Sequence, residues 1–132
     1  PEYILDFATL TGAVLVALGH VATGVMGTDD ELMEKVKSAS DSTGEKVWEF
    51  PLWPEFCKQI KSEIADVKNM GIPPQAGTIA GGAFLKEFVD PKIPWVHFDI
   101  AGTAWGVKPD SVNPKGSATG VGVRLVLDMF GV

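Results

Sequence analysis

An α/β fold with a mainly parallel β-sheet between two layers of helices is predicted by two features of this sequence. First, residues 4–18 have the pattern of a short apolar strand, a turn of Thr9-Leu10-Thr11-Gly12 and a buried helix that stops at Gly19. Second, apolar segments of strand length alternate with helical patterns along the rest of the chain. Strands separated by helices favour a parallel sheet with helices on both faces, so a three-layer α/β/α sandwich is expected.

Composition narrows the class of protein further. The 132 residues suit a single domain, and 45% of them are hydrophobic, which is typical of a folded globular chain. A net charge of −6 argues against nucleic acid or an anionic membrane as a partner. The chain has no run of about 18 apolar residues, so no transmembrane helix is expected. Cys57 is alone, which excludes an internal disulfide and fits a reducing compartment.

The first half of the chain continues with two strands and two helices. Residues 22–26 form a short apolar strand, and Asp29 and its acidic neighbours then begin a helix that ends at Gly44. The apolar positions of that helix, at Leu32, Met33, Val36 and Ala39, recur at helical spacing. Residues 47–50 alternate as a strand, and Pro54 begins a helix that extends to about Ile60.

The second half is predicted to hold two helices and one strand. Residues 72–77 are a loop by their Pro and Gly content, and residues 78–89 follow as a helix. The apolar stripe of that helix is expected to be Phe84, Leu85, Phe88 and Val89. Gly81 and Gly82 lie within it and imply close packing against another backbone.

A strand over residues 95–102 and a terminal helix complete the predicted fold. A loop rich in Gly, Pro, Asn and Ser connects them from residue 103 to residue 116. The core side of the terminal helix is expected to include Val123, Val126 and Phe130. Arg124 and Asp128 form an i,i+4 pair on it.

The turn after the first strand is the first candidate site. The N–H groups of Leu10, Thr11 and Gly12 would lie near a helix N-terminus, where an anion or a developing negative charge can bind. The alternative is an ordinary turn in which the threonines only cap the helix, and the pattern alone favours that alternative.

Other chemistry-bearing residues are few. Asp6 and Asp99 lie in otherwise apolar strands, where a carboxylate must be paired, and we favour structural pairing over catalysis for both. His20 and His97 are isolated, so a zinc site formed by this chain alone is not expected. His97, in mid-strand, is interpreted as a packed histidine rather than a ligand.

Several segments, in order, resemble the leucyl aminopeptidase (cytosol aminopeptidase) family. They include Asp6-Phe7-Ala8-Thr9-Leu10-Thr11-Gly12-Ala13, Ala65-Asp66-Val67-Lys68-Asn69, Ala83-Phe84-Leu85-Lys86-Glu87-Phe88, His97-Phe98-Asp99-Ile100-Ala101-Gly102 and Lys115-Gly116-Ser117-Ala118-Thr119-Gly120. The resemblance implies a hexameric, cytoplasmic exopeptidase with an α/β/α catalytic domain. Such an enzyme removes N-terminal residues from peptides, and it uses two divalent metal ions (Mn or Zn) and a bicarbonate.

The resemblance also implies which site residues this chain supplies. Its substrate-binding positions are Thr9, Leu10, Gly12, Met70, Ala101 and Ala104. The Leu10 N–H would in addition help to hold the bicarbonate. A pocket floored by Met70, Ala101 and Ala104 would be apolar, which suits leucine-like side chains.

The family's metal ligands and catalytic groups have no counterpart here. Its carboxylate-rich Asn-Thr-Asp-Ala-Glu-Gly-Arg stretch precedes the matching region and is absent from this chain. Residues 1–132 are therefore expected to be the C-terminal portion of the catalytic domain, without the upstream metal-binding part or the N-terminal domain. This portion alone is predicted to bind no metal and to be inactive. The alternative is a non-catalytic α/β module for assembly or for binding a small anion.

Overall fold

The computed structural model describes residues 1–108 and 114–132. These residues form four strands and five α-helices. In chain order they are β1 (Ile4–Ala8), α1 (Gly12–Leu18), β2 (Thr23–Gly27), α2 (Asp30–Thr43), β3 (Val47–Glu49), α3 (Pro54–Cys57), α4 (Gly77–Lys86), β4 (Trp95–Asp99) and α5 (Val123–Met129). A 3-10 turn, Lys58–Ile60, extends α3 to the residue at which the sequence predicts the helix to end. None of the helices in these two ranges is long and apolar enough to cross a membrane.

The described strands form one sheet in the order β1-β4-β2-β3. β1 runs parallel to β4, and β2 runs parallel to β3. The central contact between β4 and β2 is antiparallel, with Gly24 opposite Asp99. The sheet is therefore mainly parallel as predicted, but it contains one reversed pair that the order of elements does not reveal.

Helices cover both faces of this sheet. Side chains alternate between the faces of a strand, and Val25 and Phe98 point towards a core formed with α2 and α5. Met26, on the opposite face of β2, lies against α4, since a Cβ on Gly82 would meet its sulfur at 2.5 Å. Gly24 likewise faces Val14 of α1. The three-layer α/β/α arrangement is thus confirmed.

The predicted ends of the first two helices are confirmed. Thr11 caps α1 by accepting a hydrogen bond from the Val14 N–H, and Asp29 caps α2 by accepting one from the Leu32 N–H. Gly44 ends α2 in the left-handed conformation that favours glycine. The four apolar positions predicted for α2 are all buried.

The predicted core faces of the last two helices are only partly correct, although Val126 packs against the core as predicted. Phe88 is 71% exposed, and α4 instead buries small side chains together with Ile79. In α5 the buried residue is Leu125, whereas Val123 and Phe130 are exposed. Both helices contain apolar residues on more than one side, so periodicity alone did not select the side that the sheet covers.

Glu45, which follows α2, holds the N-terminal end of α5. Its Oε2 accepts hydrogen bonds from the N–H groups of Gly122 and Leu125 at 2.9 and 3.3 Å. Its Oε1 pairs with Arg124 at 3.3 Å, and the Glu45 side chain is only 7% exposed. Arg124 therefore pairs with Glu45 rather than with Asp128, which accepts a hydrogen bond from Ser42.

We predict that Glu45→Ala lowers the free energy of unfolding by about 1–3 kcal/mol, because it leaves two N–H groups of α5 without an acceptor. Urea denaturation followed by circular dichroism measures the change. Glu63→Ala, at an exposed position, is the matched control and is expected to change stability by less than about 0.5 kcal/mol. Equal effects of the two substitutions would contradict this role of Glu45.

Candidate functional site

The carboxylate of Asp99 lies at the carboxyl end of β4 and is fully buried. Its Oδ1 accepts hydrogen bonds from the N–H groups of Leu10 and Thr11 at 3.1 and 3.3 Å. The same oxygen accepts from the N–H of Ala101 at 3.3 Å. Its Oδ2 accepts from the Thr11 hydroxyl at 2.5 Å. These four bonds supply the pairing that the sequence predicts for a carboxylate in an apolar strand.

Strand register explains why these groups meet. Ala8, the last residue of β1, lies opposite Asp99 in the parallel pair, so the turn after β1 and the turn after β4 leave the sheet side by side. Asp99 then binds both turns through one oxygen atom. Two of the predicted substrate-binding positions, Leu10 and Ala101, are thereby anchored to the same carboxylate.

Asp99 changes the interpretation of the first turn. The N–H groups of Leu10 and Thr11, expected to be free for an anion, already donate to a buried carboxylate. A bicarbonate on the Leu10 N–H would have to share this donor with Asp99 and lie beside a like charge, which is unfavourable. Thr11 also caps α1 by accepting a hydrogen bond from the Val14 N–H. The alternative interpretation, in which the threonines only cap the helix, therefore describes part of the role of Thr11.

A cleft of about 530 Å³ lies beside this turn. Three segments line it, namely residues 10–13, the loop over residues 69–75 and the first two turns of α4. Its lining includes Leu10, Gly12 and Met70, which are three of the predicted substrate-binding residues. Most of the other side chains in the lining are apolar, as is usual for a site that binds an apolar group.

Two glycines of α4 let the helix lie close to the turn. A Cβ on Gly77 would come within 2.8 Å of the Ala13 Cβ, and one on Gly81 within 2.9 Å of the Thr11 Cγ2. The hydroxyls of Thr11 and Thr78 are also 3.3 Å apart. The close packing that the sequence predicts at the glycines of α4 is therefore confirmed, although the neighbours are side chains.

The other three predicted substrate-binding residues lie outside the lining of this cleft. Thr9 is exposed between the end of β1 and Leu10. Ala101 and Ala104 belong to the turn after β4, where the N–H of Ala104 donates to the carbonyl of Ile100 at 2.9 Å. Met70 lines the cleft, whereas Ala101 and Ala104 do not. Asp99 links the two regions, because it accepts hydrogen bonds from Leu10 beside the cleft and from Ala101.

A second polar cluster occupies the same face of the sheet. Asp6 accepts hydrogen bonds from the Trp95 indole N–H at 2.6 Å and from the His97 Nδ1 at 2.5 Å. His97 is fully buried, and its Nε2 has no hydrogen-bond partner among the residues that the structure describes. The structure thus pairs Asp6 as predicted and places His97 as a packed residue.

Metal binding requires several ligands at one point. In the two ranges that the structure describes, no three His, Cys, Asp or Glu side chains come close enough to hold a metal ion. The described residues therefore do not fit the metal pair that the family resemblance implies.

Comparisons with known proteins agree with the geometry. The profile of the cytosol aminopeptidase family, catalytic domain, matches residues 1–127. This chain belongs to the cytosol aminopeptidase family. It is 52% identical over 130 residues to a probable cytosol aminopeptidase of Syntrophotalea carbinolica, covering 98% of this chain and 26% of that protein. A probable cytosol aminopeptidase of Cenarchaeum symbiosum is 49% identical over 129 residues, covering 96% of this chain and 26% of that protein.

A solved structure supports the family membership. A mutant of tomato leucine aminopeptidase superimposes with a TM-score of 0.85 and 41% sequence identity, covering 97% of this chain and 24% of that one. This chain spans about a quarter of the length of the relatives that it matches.

Sequence reasoning identified Asp99 as a carboxylate in need of partners but did not identify the partners. Leu10 and Thr11 lie about ninety positions earlier in the chain, and Ala101 lies two positions later. It also interpreted His20 only as an isolated histidine, although its Nδ1 lies 2.6 Å from the Gly102 carbonyl oxygen. For Asp99 the signal was a carboxylate at a strand end rich in small residues, whereas His20 carried no comparable signal.

We predict that Asp99→Ala lowers the free energy of unfolding by about 3 kcal/mol or more, because several buried donors lose their acceptor. Asp99→Asn keeps an oxygen for the amide donors and is expected to cost less than half as much. Chemical denaturation measures both changes, and Asp41→Ala, an exposed carboxylate of α2, is the control. Asn and Ala variants of equal stability would contradict the hydrogen-bonding role of Asp99.

Proposed function

We propose that this chain is the C-terminal portion of the catalytic domain of a metallo-aminopeptidase that releases N-terminal residues from peptides. The observation that carries the proposal is the Asp99 carboxylate, which holds Leu10 and Ala101 beside an apolar cleft. Family membership supports the reaction class. In this proposal residues 1–132 supply walls of the substrate site, and no catalytic residue lies among them.

The proposed substrate-binding residues fall into two groups. Leu10, Gly12 and Met70 line the cleft, so they would contact an apolar side chain of the peptide. Thr9, Ala101 and Ala104 would form the adjoining wall at the strand ends. The apolar side chains of Met70, Ala101 and Ala104 support a preference for leucine-like residues.

Two divalent metal ions, Mn or Zn, would supply the activated water and polarise the scissile carbonyl. The described residues contain no cluster that fits such a pair, so its ligands are assigned to an upstream part of the protein. The task of this chain is to orient the peptide, because correct placement of the reacting groups removes much of the barrier. Asp99 contributes indirectly by keeping the two wall segments in place.

The remaining properties of the proposed enzyme follow from the family resemblance. They are a bicarbonate cofactor, a homohexameric assembly and a cytoplasmic location. The proposal does not place the bicarbonate on the Leu10 N–H, because that group donates to Asp99. The relatives are named cytosol aminopeptidases, which supports the cytoplasmic location. The competing function, a non-catalytic module that binds a small anion at the first turn, is disfavoured because Asp99 already occupies the Leu10 and Thr11 amides.

We predict that Met70→Ser in the full-length gene product changes which side chain is preferred at the first residue of the peptide. The substitution removes apolar surface from the cleft, so kcat/KM for an apolar substrate is expected to fall about tenfold relative to a polar one. Steady-state kinetics on a panel of dipeptides measure this ratio. Ile64→Ser, at a 98% exposed position, is the control. An unchanged preference would remove Met70 from the site.

We also predict that the 132-residue chain alone does not hydrolyse leucine p-nitroanilide when Mn²⁺ or Zn²⁺ is added. The physical reason is that its described residues contain no cluster of metal ligands. The full-length gene product, assayed with the same metals, is the control and is expected to be active. Appreciable turnover by the isolated chain would overturn the assignment of the catalytic groups to upstream sequence.

A further inference from the structure

We propose that His20 is a positioning residue that sets the substrate wall formed by Ala101 and Ala104, and so helps to determine which first side chain is accepted. The inference rests on the proposed function, since it takes these alanines as part of the substrate site. His20 lies in the turn between α1 and β2 and touches the segment after β4.

A short hydrogen bond is the first contact between the two segments. The Nδ1 of His20 lies 2.6 Å from the carbonyl oxygen of Gly102, which is the residue immediately after Ala101. A carbonyl oxygen can only accept, so Nδ1 carries the hydrogen and the neutral ring is the Nδ1–H tautomer.

The His20 ring makes two further contacts beyond Ala104. It packs edge-on against the Trp105 indole, with ring centroids 5.7 Å apart. A Cβ on Gly106 would lie only 2.8 Å from the His20 Cε1, so the backbone there passes directly over the ring. The imidazole is exposed on one side, and on the other it contacts this segment at Gly102, Trp105 and Gly106.

Two neighbouring contacts bind the same segments on either side of His20. Gly102 packs against the carbonyl of Gly19 so closely that it leaves no space for a Cβ. The hydroxyls of Thr23 and Thr103 are 2.8 Å apart. The position of Ala101 and Ala104 therefore depends on the turn that holds residues 19–23 as well as on β4.

Helix α1 connects this contact to the cleft. Its N-terminal end carries Leu10 and Gly12, and the turn at its other end carries His20. Because a helix of seven residues is a short rigid spacer, the distance between the two parts of the substrate wall depends on both ends of α1. Because Asp99 still holds Ala101, loss of the His20 contact loosens the segment that follows Ala101, including Ala104, and leaves Leu10 and Gly12 in place.

Three substitutions in the full-length gene product separate the two contributions of His20. His20→Ala removes the hydrogen bond and the ring. His20→Phe keeps a ring beside Trp105 without a donor, and His20→Asn keeps a donor near the Nδ1 position. Val21→Ala, at the exposed neighbouring position, is the control.

The measurement is steady-state kinetics with leucine and alanine p-nitroanilides. For His20→Ala we expect KM for the leucine substrate to rise about three- to tenfold, with kcat nearly unchanged. The ratio of kcat/KM between leucine and alanine substrates falls by the same factor. His20→Asn restores most of the ratio, and His20→Phe restores less.

Other outcomes overturn the inference in recognisable ways. If His20→Ala lowers kcat equally for both substrates and leaves KM unchanged, His20 affects only the fraction of folded enzyme. If all three variants keep the parent selectivity, the wall does not depend on His20, while the proposed function stands. An inactive parent protein would instead contradict the proposed function itself.

Discussion

The Asp99 carboxylate is the interaction on which the site depends. It is fully buried at the carboxyl end of an inner strand, and water cannot compensate for the loss of its hydration. Three backbone N–H groups and one hydroxyl provide that compensation, and all four come from the two turns that carry proposed substrate-binding residues. The requirement to satisfy one charge therefore also determines where the two turns lie relative to each other.

The fold supplies these donors through strand order and helix packing. β1 and β4 are neighbours and parallel, so their carboxyl ends meet at one edge of the sheet. Helix α4 then lies close to the first turn, because two of its glycines leave space for Ala13 and Thr11. The result is a cleft with a rigid base, since the backbone of that base is hydrogen bonded to a buried group rather than to solvent.

The polar clusters around Asp6 and Asp99 lie on the sheet face that α1 and α4 cover. Asp6, Trp95 and His97 form one cluster, and Asp99 with the first turn forms the other. The opposite face packs as an ordinary apolar core between the sheet, α2 and α5. The buried polar groups of the sheet and the proposed substrate site therefore lie on the same face.

The sequence by itself determined the α/β class, the ends of α1 and α2, and the need to pair Asp6 and Asp99, because these follow from local periodicity, capping and the cost of burying a charge. It also carried the family resemblance. Only the tertiary structure decided that β2 runs antiparallel to β4, that α4 and α5 bury faces that match the expected ones only in part, and that Glu45 rather than Asp128 pairs with Arg124. The tertiary structure likewise placed Met70 with Leu10 and Gly12 in one cleft and left Ala101 and Ala104 outside its lining. These features depend on partners distant in the chain, which local pattern does not encode.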